Sequence, residues 1–98
     1  MEVAFDDSRL ALVETERAAD TELPVSVIRW LRAHLSVVRA APDERTLKNW
    51  RTLGYDDGEA LFGRGKSLGV PPNMRLYFRL EEKAPQPTFV VMSLLKAN

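Results

Sequence analysis

The alternation of apolar and polar positions is clearest near the end of the chain. Met74–Glu81 alternates strictly, which predicts a strand with one apolar face and a second face that carries Arg75, Tyr77 and Arg79. Thr88–Leu95 is apolar at almost every position, which is typical of a strand in the middle of a sheet. The sequence therefore predicts two adjacent strands here, one of them central.

A helical period of apolar residues runs through the segment after Pro24. These positions form one stripe: Val27, Ile28, Leu31, Leu35 and Val38. Polar residues repeat at the same spacing on the other side: Arg29, Arg32, Ser36 and Arg39. We therefore expect an amphipathic helix with a basic outer face, which begins at Pro24 and ends before Pro42.

Weaker patterns fill the rest of the chain. They predict a strand over Met1–Phe5, a helix over about Ser8–Arg17, a short helical turn at Asp43–Arg45 and strands at Arg51–Tyr55 and Lys66–Val70. Connectors and turns are expected at Ala18–Leu23, Asp56–Gly58, Pro71–Asn73 and Glu82–Pro87. The order predicts a single α+β domain over residues 1–98, with two N-terminal helices packed on one face of a small, mostly antiparallel sheet in the order β-α-α-β-β-β.

Composition narrows the function classes. The chain of 98 residues has 45% hydrophobic and 29% charged residues, as an ordinary globular domain does. Because there is no cysteine and only one histidine, His34, disulfides and a thiolate or histidine zinc site are not expected. No apolar run approaches the length of a membrane span, and residues 1–7 do not resemble a signal peptide. We expect a cytoplasmic protein without a cofactor.

Charge is balanced overall but unevenly distributed. Residues 1–20 hold six acidic and two basic side chains, whereas residues 61–80 hold no acid. The basic residues of that second segment are Arg64, Lys66, Arg75 and Arg79. A local basic stretch in a neutral protein is typical of a phosphate-facing surface, although a solvated strand face would carry the same charges.

The element order, together with several short sequence words, resembles the RelE/ParE superfamily and most closely its HigB branch. The words that carry the resemblance lie at Leu23–Arg29, Val38–Asp43, Arg45–Trp50, Met74–Arg79 and Val91–Leu94. The fourth of these is similar to the family's Trp-Arg-x-x-Phe-Arg strand. The resemblance implies a toxin of a toxin–antitoxin pair, which cuts mRNA in the ribosomal A site without a metal and is neutralised by an antitoxin.

The same resemblance assigns the site. It implies that Arg75, Arg79 and Lys66 stabilise phosphate charge during RNA cleavage, that Arg64 assists them in RNA binding, and that Tyr77 stacks on a base. The proton-transfer groups of the family are absent, since its C-terminal Asp-Tyr-His aligns with residues 96–98, which read Lys-Ala-Asn. The family's strand-two histidine aligns near Gly54. Cleavage is therefore expected to be weak or lost, while binding remains.

Two further functions fit the residues. One is a catalytically degenerate toxin homologue that binds an antitoxin or acts in regulation, and the other is a ParE-like inhibitor of a topoisomerase. Trp30 with Arg29 and Arg32 forms a candidate partner-binding surface for the antitoxin, although core packing is the more common role of a tryptophan.

Other chemistry-bearing residues have a plainer interpretation. His34 lies at the margin of the apolar stripe, where packing against the core is more common than catalysis. Residues 60–67 match a loosened P-loop pattern, but Pro71 follows within four residues where a P-loop needs a helix, so we interpret the match as coincidence.

Overall fold

A computed structural model describes residues 1–58, 65–82 and 85–96. It has two α-helices and four strands: β1 Glu2–Phe5, α1 Val25–Ala40, α2 Glu44–Asn49, β2 Ser67–Val70, β3 Met74–Glu81 and β4 Thr88–Lys96. Three 3₁₀ helices occur between them: Leu10–Glu14, Ala18–Thr21 and Arg51–Leu53. The α+β class expected from the sequence is confirmed.

The four strands form one mixed sheet in the order β1-β4-β3-β2. β2 and β3 pair antiparallel, as do β3 and β4, whereas β1 pairs with β4 in parallel. The sheet is therefore not purely antiparallel. β4 lies between two neighbours, which explains why its sequence is apolar on both faces.

A register shift interrupts the β3–β4 pairing. Tyr77 lies opposite Ser93 but Phe78 lies opposite Val91, so Met92 is an extra residue in β4. Such a bulge reverses the alternation of the bulged strand. Because of it, Leu94 and Val91, which are three positions apart, both belong to the core side of the sheet.

The helices cover one face of the sheet because α1 is amphipathic as predicted. Its four buried residues are Val27, Leu31, Leu35 and Val38. They contact the inner side of the sheet, where Phe78 and Phe89 stack with ring centroids 4.2 Å apart. Full burial of each such side chain contributes roughly 1.5–3 kcal/mol to the free energy of folding, so this contact is a major source of hydrophobic stabilisation.

The end of α1 and the start of α2 both have local causes. α1 ends where Ala41 adopts an extended conformation before Pro42. The Asp43 carboxylate then caps α2, because it accepts hydrogen bonds from the backbone N–H of Thr46 at 3.0 Å and from its hydroxyl at 2.9 Å. The short turn predicted at Asp43–Arg45 is thus confirmed and extends to Asn49.

The helix predicted over Ser8–Arg17 is wrong. The segment instead forms a 3₁₀ helix over Leu10–Glu14, and a second one, Ala18–Thr21, lies in the predicted connector. Side chains that bond to nearby backbone explain the difference. The Asp7 carboxylate accepts from the N–H of Arg9 at 2.9 Å, and the Thr15 hydroxyl donates to the carbonyl of Leu12 at 2.8 Å.

The strand predicted over Arg51–Tyr55 is also wrong. Arg51–Leu53 is a 3₁₀ helix that buries Leu53 completely, and Gly54 has a φ of 57°. A Cβ on Gly54 would lie 3.1 Å from the backbone of Gly69, so the chain crosses β2 closely there. The later predictions hold, since β2 and β4 agree with the predicted strands to within one residue and β3 has the predicted bounds.

No helix in the described part of the chain combines the length and the apolar character that crossing a membrane requires.

Candidate nucleic-acid interface

The face of the sheet opposite the helices carries the arginines of β3, and we call it the outer sheet face. It is defined by Arg75, Tyr77 and Arg79 with their cross-strand neighbours Ser67, Ser93 and Val90. Alternation along β3 places these residues together, as the sequence predicted. The two arginines are four residues apart, which corresponds to roughly 13 Å along a strand.

The guanidinium of Arg75 is held by the backbone of the neighbouring elements. It donates to the carbonyl oxygens of Gly54 at 2.7 Å and Ser67 at 3.3 Å, and to the Ser67 hydroxyl at 3.1 Å. Gly69 makes room for it, because a Cβ there would lie 2.9 Å from an Arg75 nitrogen. Arg75 therefore joins β3 across β2 to the turn at Gly54.

The guanidinium of Arg79 is held by carboxylates instead. It hydrogen-bonds to Asp6, which follows β1, and to Glu81 at 3.2 Å. The side chains of Arg79 and Asp6 are 44% and 50% exposed. The hydrogen bonds to Asp6 and then to Glu81 raise the pKa of Arg79, so it stays cationic. Ion pairs this exposed are weak, and a phosphate can replace a carboxylate at the same nitrogens.

Tyr77 lies between the two arginines but is buried. Only 5% of its surface is exposed, and Val90, also on the outer sheet face, is 3% exposed. Stacking on a nucleic-acid base requires an accessible ring face. The predicted stacking therefore needs Tyr77 to become uncovered first.

Lys66 lies on the other side of the sheet, toward the helices. Its ammonium is 2.5 Å from a carboxylate oxygen of Glu44 in α2, and the hydroxyl of Tyr55 donates to the same carboxylate. The structure thus brings Arg75 and Arg79 together on one face but separates Lys66 from them. The remaining predicted cation, Arg64, lies outside the described residues.

Glu44, Lys66 and Tyr55 form a cluster, which we call the Glu44 cluster, and the pKa values of Glu44 and Tyr55 are shifted in it. Burial is the largest influence on the pKa of Glu44 and raises it. The hydrogen bonds from Lys66 and Tyr55, together with the positive charges of Lys66 and Lys48, outweigh burial, so the pKa lies below its usual value. Burial and then the bond to Glu44 raise the pKa of Tyr55. Lys48 lies 5.6 Å above the Tyr55 ring. Sequence analysis missed this cluster, because nothing in the pattern around Glu44 connects it to residues 11 and 22 positions away.

The residues predicted to bind a partner have mostly structural contacts. The Trp30 ring stacks on His34 with centroids 4.0 Å apart and packs against the core. Arg32 donates to the carbonyls of Val13 at 2.6 Å and Thr15 at 2.8 Å, which holds the first 3₁₀ helix against α1. Arg29 is exposed. Sequence analysis gave no reason to prefer Trp50, which is nevertheless the more exposed tryptophan at 47%.

The acid–base groups that contact Arg79 are the carboxylates of Asp6 and Glu81, and the histidine lies elsewhere. His34 is on α1, where its Nδ1 lies 2.9 Å from the carbonyl of Trp30. Within residues 1–58, 65–82 and 85–96, no group of three acidic or histidine side chains could hold a metal ion. What the outer sheet face offers is a guanidinium for anion binding at Arg79.

Comparison with known proteins gave no match: no family model, no curated protein and no solved structure is similar to this chain. The RelE/HigB resemblance stays a prediction.

Proposed function

We propose that the protein is a toxin of the RelE/HigB type, paired with an antitoxin in the cytoplasm, whose outer sheet face binds RNA. In this proposal RNA cleavage is weak or lost. Arg79 provides the main phosphate contact. Arg75 adds positive charge to the same face while its guanidinium stays on the Gly54 and Ser67 carbonyls, and Arg64 remains an auxiliary cation implied by the family resemblance. Lys66 lies on the side of the helices and is not part of this surface.

One observation carries the proposal. Arg79 is an exposed guanidinium on the sheet face opposite the helices, and within the described residues it is held by the carboxylates of Asp6 and Glu81, whose side chains are 50% and 38% exposed. An arginine in this setting can exchange a carboxylate for a phosphate of similar geometry at little cost. The α+β class, with two helices and a four-stranded mixed sheet, is compatible with the proposal.

The expectation of weak cleavage also has support. RNA cleavage through the 2′-hydroxyl needs a base within hydrogen-bonding reach of that group. The only histidine of the chain is stacked on Trp30 in the helix layer. It is thus on a different side of the sheet from Arg79.

RNA binding is best tested with Arg79→Ala and the matched control Arg17→Ala. Arg17 also forms an exposed ion pair, with Asp20 at 2.8 Å, but in the region of the 3₁₀ helices. Fluorescence anisotropy with labelled single-stranded RNA should show weaker binding only for Arg79→Ala. Loss of one phosphate contact should also reduce the slope of log K against log salt by about 0.7. Equal binding by both variants would contradict the proposal.

A second candidate is a toxin homologue that binds an antitoxin without cutting RNA. It is favoured by the pairing of the cations, since Arg79, Lys66 and Arg39 each contact a carboxylate. Expression in bacterial cells separates the functions. Growth arrest with cut mRNA indicates an active nuclease, and absence of arrest indicates the binding protein. DNA damage without mRNA loss indicates topoisomerase inhibition.

A further inference from the structure

An apolar groove lies between the C-terminal half of α1 and the short helix α2 with the residue that follows it. Its volume is about 260 Å³, and six residues line it: Ser36, Val37, Ala40, Ala41, Thr46 and Trp50. All are apolar except for two hydroxyl-bearing residues. The groove belongs to the helix layer, so it is separate from the outer sheet face and does not depend on RNA binding there.

Trp50 makes this groove different from the rest of the helix layer. It directly follows α2 and is 47% exposed, whereas Trp30 is half-buried against His34 and the core. Large exposed aromatic side chains beside a concave apolar surface are typical of the anchors of protein interfaces. Part of the Trp50 ring is exposed to water. A partner that covers it would gain about 25 cal/mol of binding free energy per Å² of apolar surface removed from water.

The elements around the groove are strongly basic. Residues 25–53, which comprise α1, α2 and the following 3₁₀ helix, hold six basic and two acidic side chains in a chain that is neutral overall. Both acids already have partners, since Asp43 caps α2 and Glu44 contacts Lys66. Arg29, Arg45 and Arg51 are exposed and have no carboxylate within 4 Å among the described residues. The field around the groove therefore favours an acidic partner.

The surface of α1 beside the groove carries small, exposed side chains. Ala33, Ser36 and Ala40 share one face of the helix at spacings of three, four and seven residues, and Arg29 lies seven residues before Ser36 on the same face. Small side chains allow a second helix to approach within about 8–10 Å. If a partner helix lay along α1 with its apolar residues over the groove, a residue about two to three turns further along that helix would lie beside Arg29.

We infer that this groove docks an amphipathic helix of a partner protein, with apolar side chains seated against Trp50 and acidic side chains facing Arg29 and Arg45. A second copy of this chain fits poorly, because the facing surfaces would both carry unpaired arginines and no free acid. RNA also fits poorly, because the groove offers two hydroxyl groups and an otherwise apolar lining, with little to hydrogen-bond a base or sugar.

To test this inference, peptides that bind the full chain are selected from a displayed library of 16-residue helices in which apolar and charged positions are randomised. The recovered peptides are synthesised, and their affinities are measured for the wild type, Trp50→Ala, Arg29→Glu/Arg45→Glu and the control Leu95→Ala. Leu95 is 39% exposed but lies on β4, opposite Arg75. Circular dichroism verifies that each variant folds.

We expect peptides with apolar residues spaced by three and four and an excess of Asp and Glu. Their affinity should fall at least tenfold for Trp50→Ala and for the charge-reversed variant, and should be unchanged for Leu95→Ala. Binders that do not depend on Trp50, or that show no excess of acids, would overturn the inference. A dimer of the free protein that dissociates in Trp50→Ala would also overturn it, because the groove would then bind a second copy. Quenching of Trp50 fluorescence by single-stranded RNA, without competition from the peptides, would overturn it as well.

Discussion

Arg75 and Arg79 lie on the same face of the same strand, yet the molecule uses them differently. Arg75 donates its hydrogen bonds to backbone carbonyls and a buried serine, which connect β3, β2 and the turn at Gly54. Arg79 contacts the carboxylates of the exposed Asp6 and the partly exposed Glu81. Because a carbonyl cannot leave its place in the backbone, Arg75 is fixed, whereas Arg79 can exchange partners. An arginine on a strand is therefore a ligand-binding candidate only when its existing partners are replaceable.

The largest expected effect is the loss of stability in Arg75→Ala. Removal of the guanidinium takes its donors from the buried Ser67 hydroxyl and from the Gly54 carbonyl, which then keeps the N–H of Gly69 at 3.1 Å. The loss of these charged hydrogen bonds should cost about 2 kcal/mol. Urea denaturation should show this loss as a lower midpoint with an unchanged slope. Arg79→Ala serves as the control and should shift the midpoint little. Equal shifts in both variants would show that the two arginines do not differ.

The second effect depends on the space that Gly69 leaves for Arg75. In the wild type, Gly69→Ala places a Cβ 2.9 Å from a guanidinium nitrogen and should destabilise the protein. In the Arg75→Ala background this clash is gone, so the same substitution should be neutral or stabilise by about 0.5–1 kcal/mol, as alanine does relative to glycine within a strand. A double-mutant cycle in urea measures the coupling. Additive effects would contradict the contact.

The third effect concerns Lys66, which the structure separates from both arginines. The hydrogen bonds of Lys66 and Tyr55 lower the pKa of Glu44 from its ordinary value of 4.5. A carboxyl with a lowered folded-state pKa stabilises the protein above that ordinary value, and this contribution is lost as the pH falls through the folded-state pKa. Wild type should lose more stability than Glu44→Gln as the pH is lowered from 5 toward 3, by less than about 1 kcal/mol. Identical pH profiles of the urea midpoint would exclude this role.

The smallest effect is a gain of RNA affinity in Asp6→Asn. This substitution removes a carboxylate that competes with phosphate for Arg79, so binding should strengthen by roughly two- to threefold, consistent with the weakness of exposed ion pairs. Anisotropy with labelled RNA at low salt provides the measurement, and Asp20→Asn is the matched control at the Arg17 pair. An unchanged affinity would indicate that Asp6 does not limit the availability of Arg79.

The sequence predicted those elements whose apolar period is long and uninterrupted. α1 and β3 show five and four apolar positions in register with their period, and both formed as expected. The segment after Asp7 offered only Leu10 and Val13 to the core, and local side-chain bonds changed its helix type. Short segments of this kind are determined by tertiary contacts, which periodicity does not contain.

For the candidate site, the sequence predicted which residues share one face of β3 but not the contacts that each of them makes. Alternation along β3 was sufficient to place Arg75, Tyr77 and Arg79 together. The partners of these residues come from distant positions, as the bond from Arg75 to Gly54 and the pair of Arg79 with Asp6 show. The bonds of Lys66 to Glu44 likewise cross 22 positions of the chain. Whether a side chain is fixed, replaceable or buried therefore became visible only in the fold.

The parallel pairing of β1 with β4 also determines when the fold can be completed. Residues 2–5 align with residues 88–91, so β1 has no neighbour in the sheet until β4 is synthesised. Contacts between such distant segments form slowly, because the loop between them must be closed first. β2 and β3 can pair earlier because they are neighbours in the sequence, but the four-stranded sheet is completed only when residues 88–96 are added between β1 and β3.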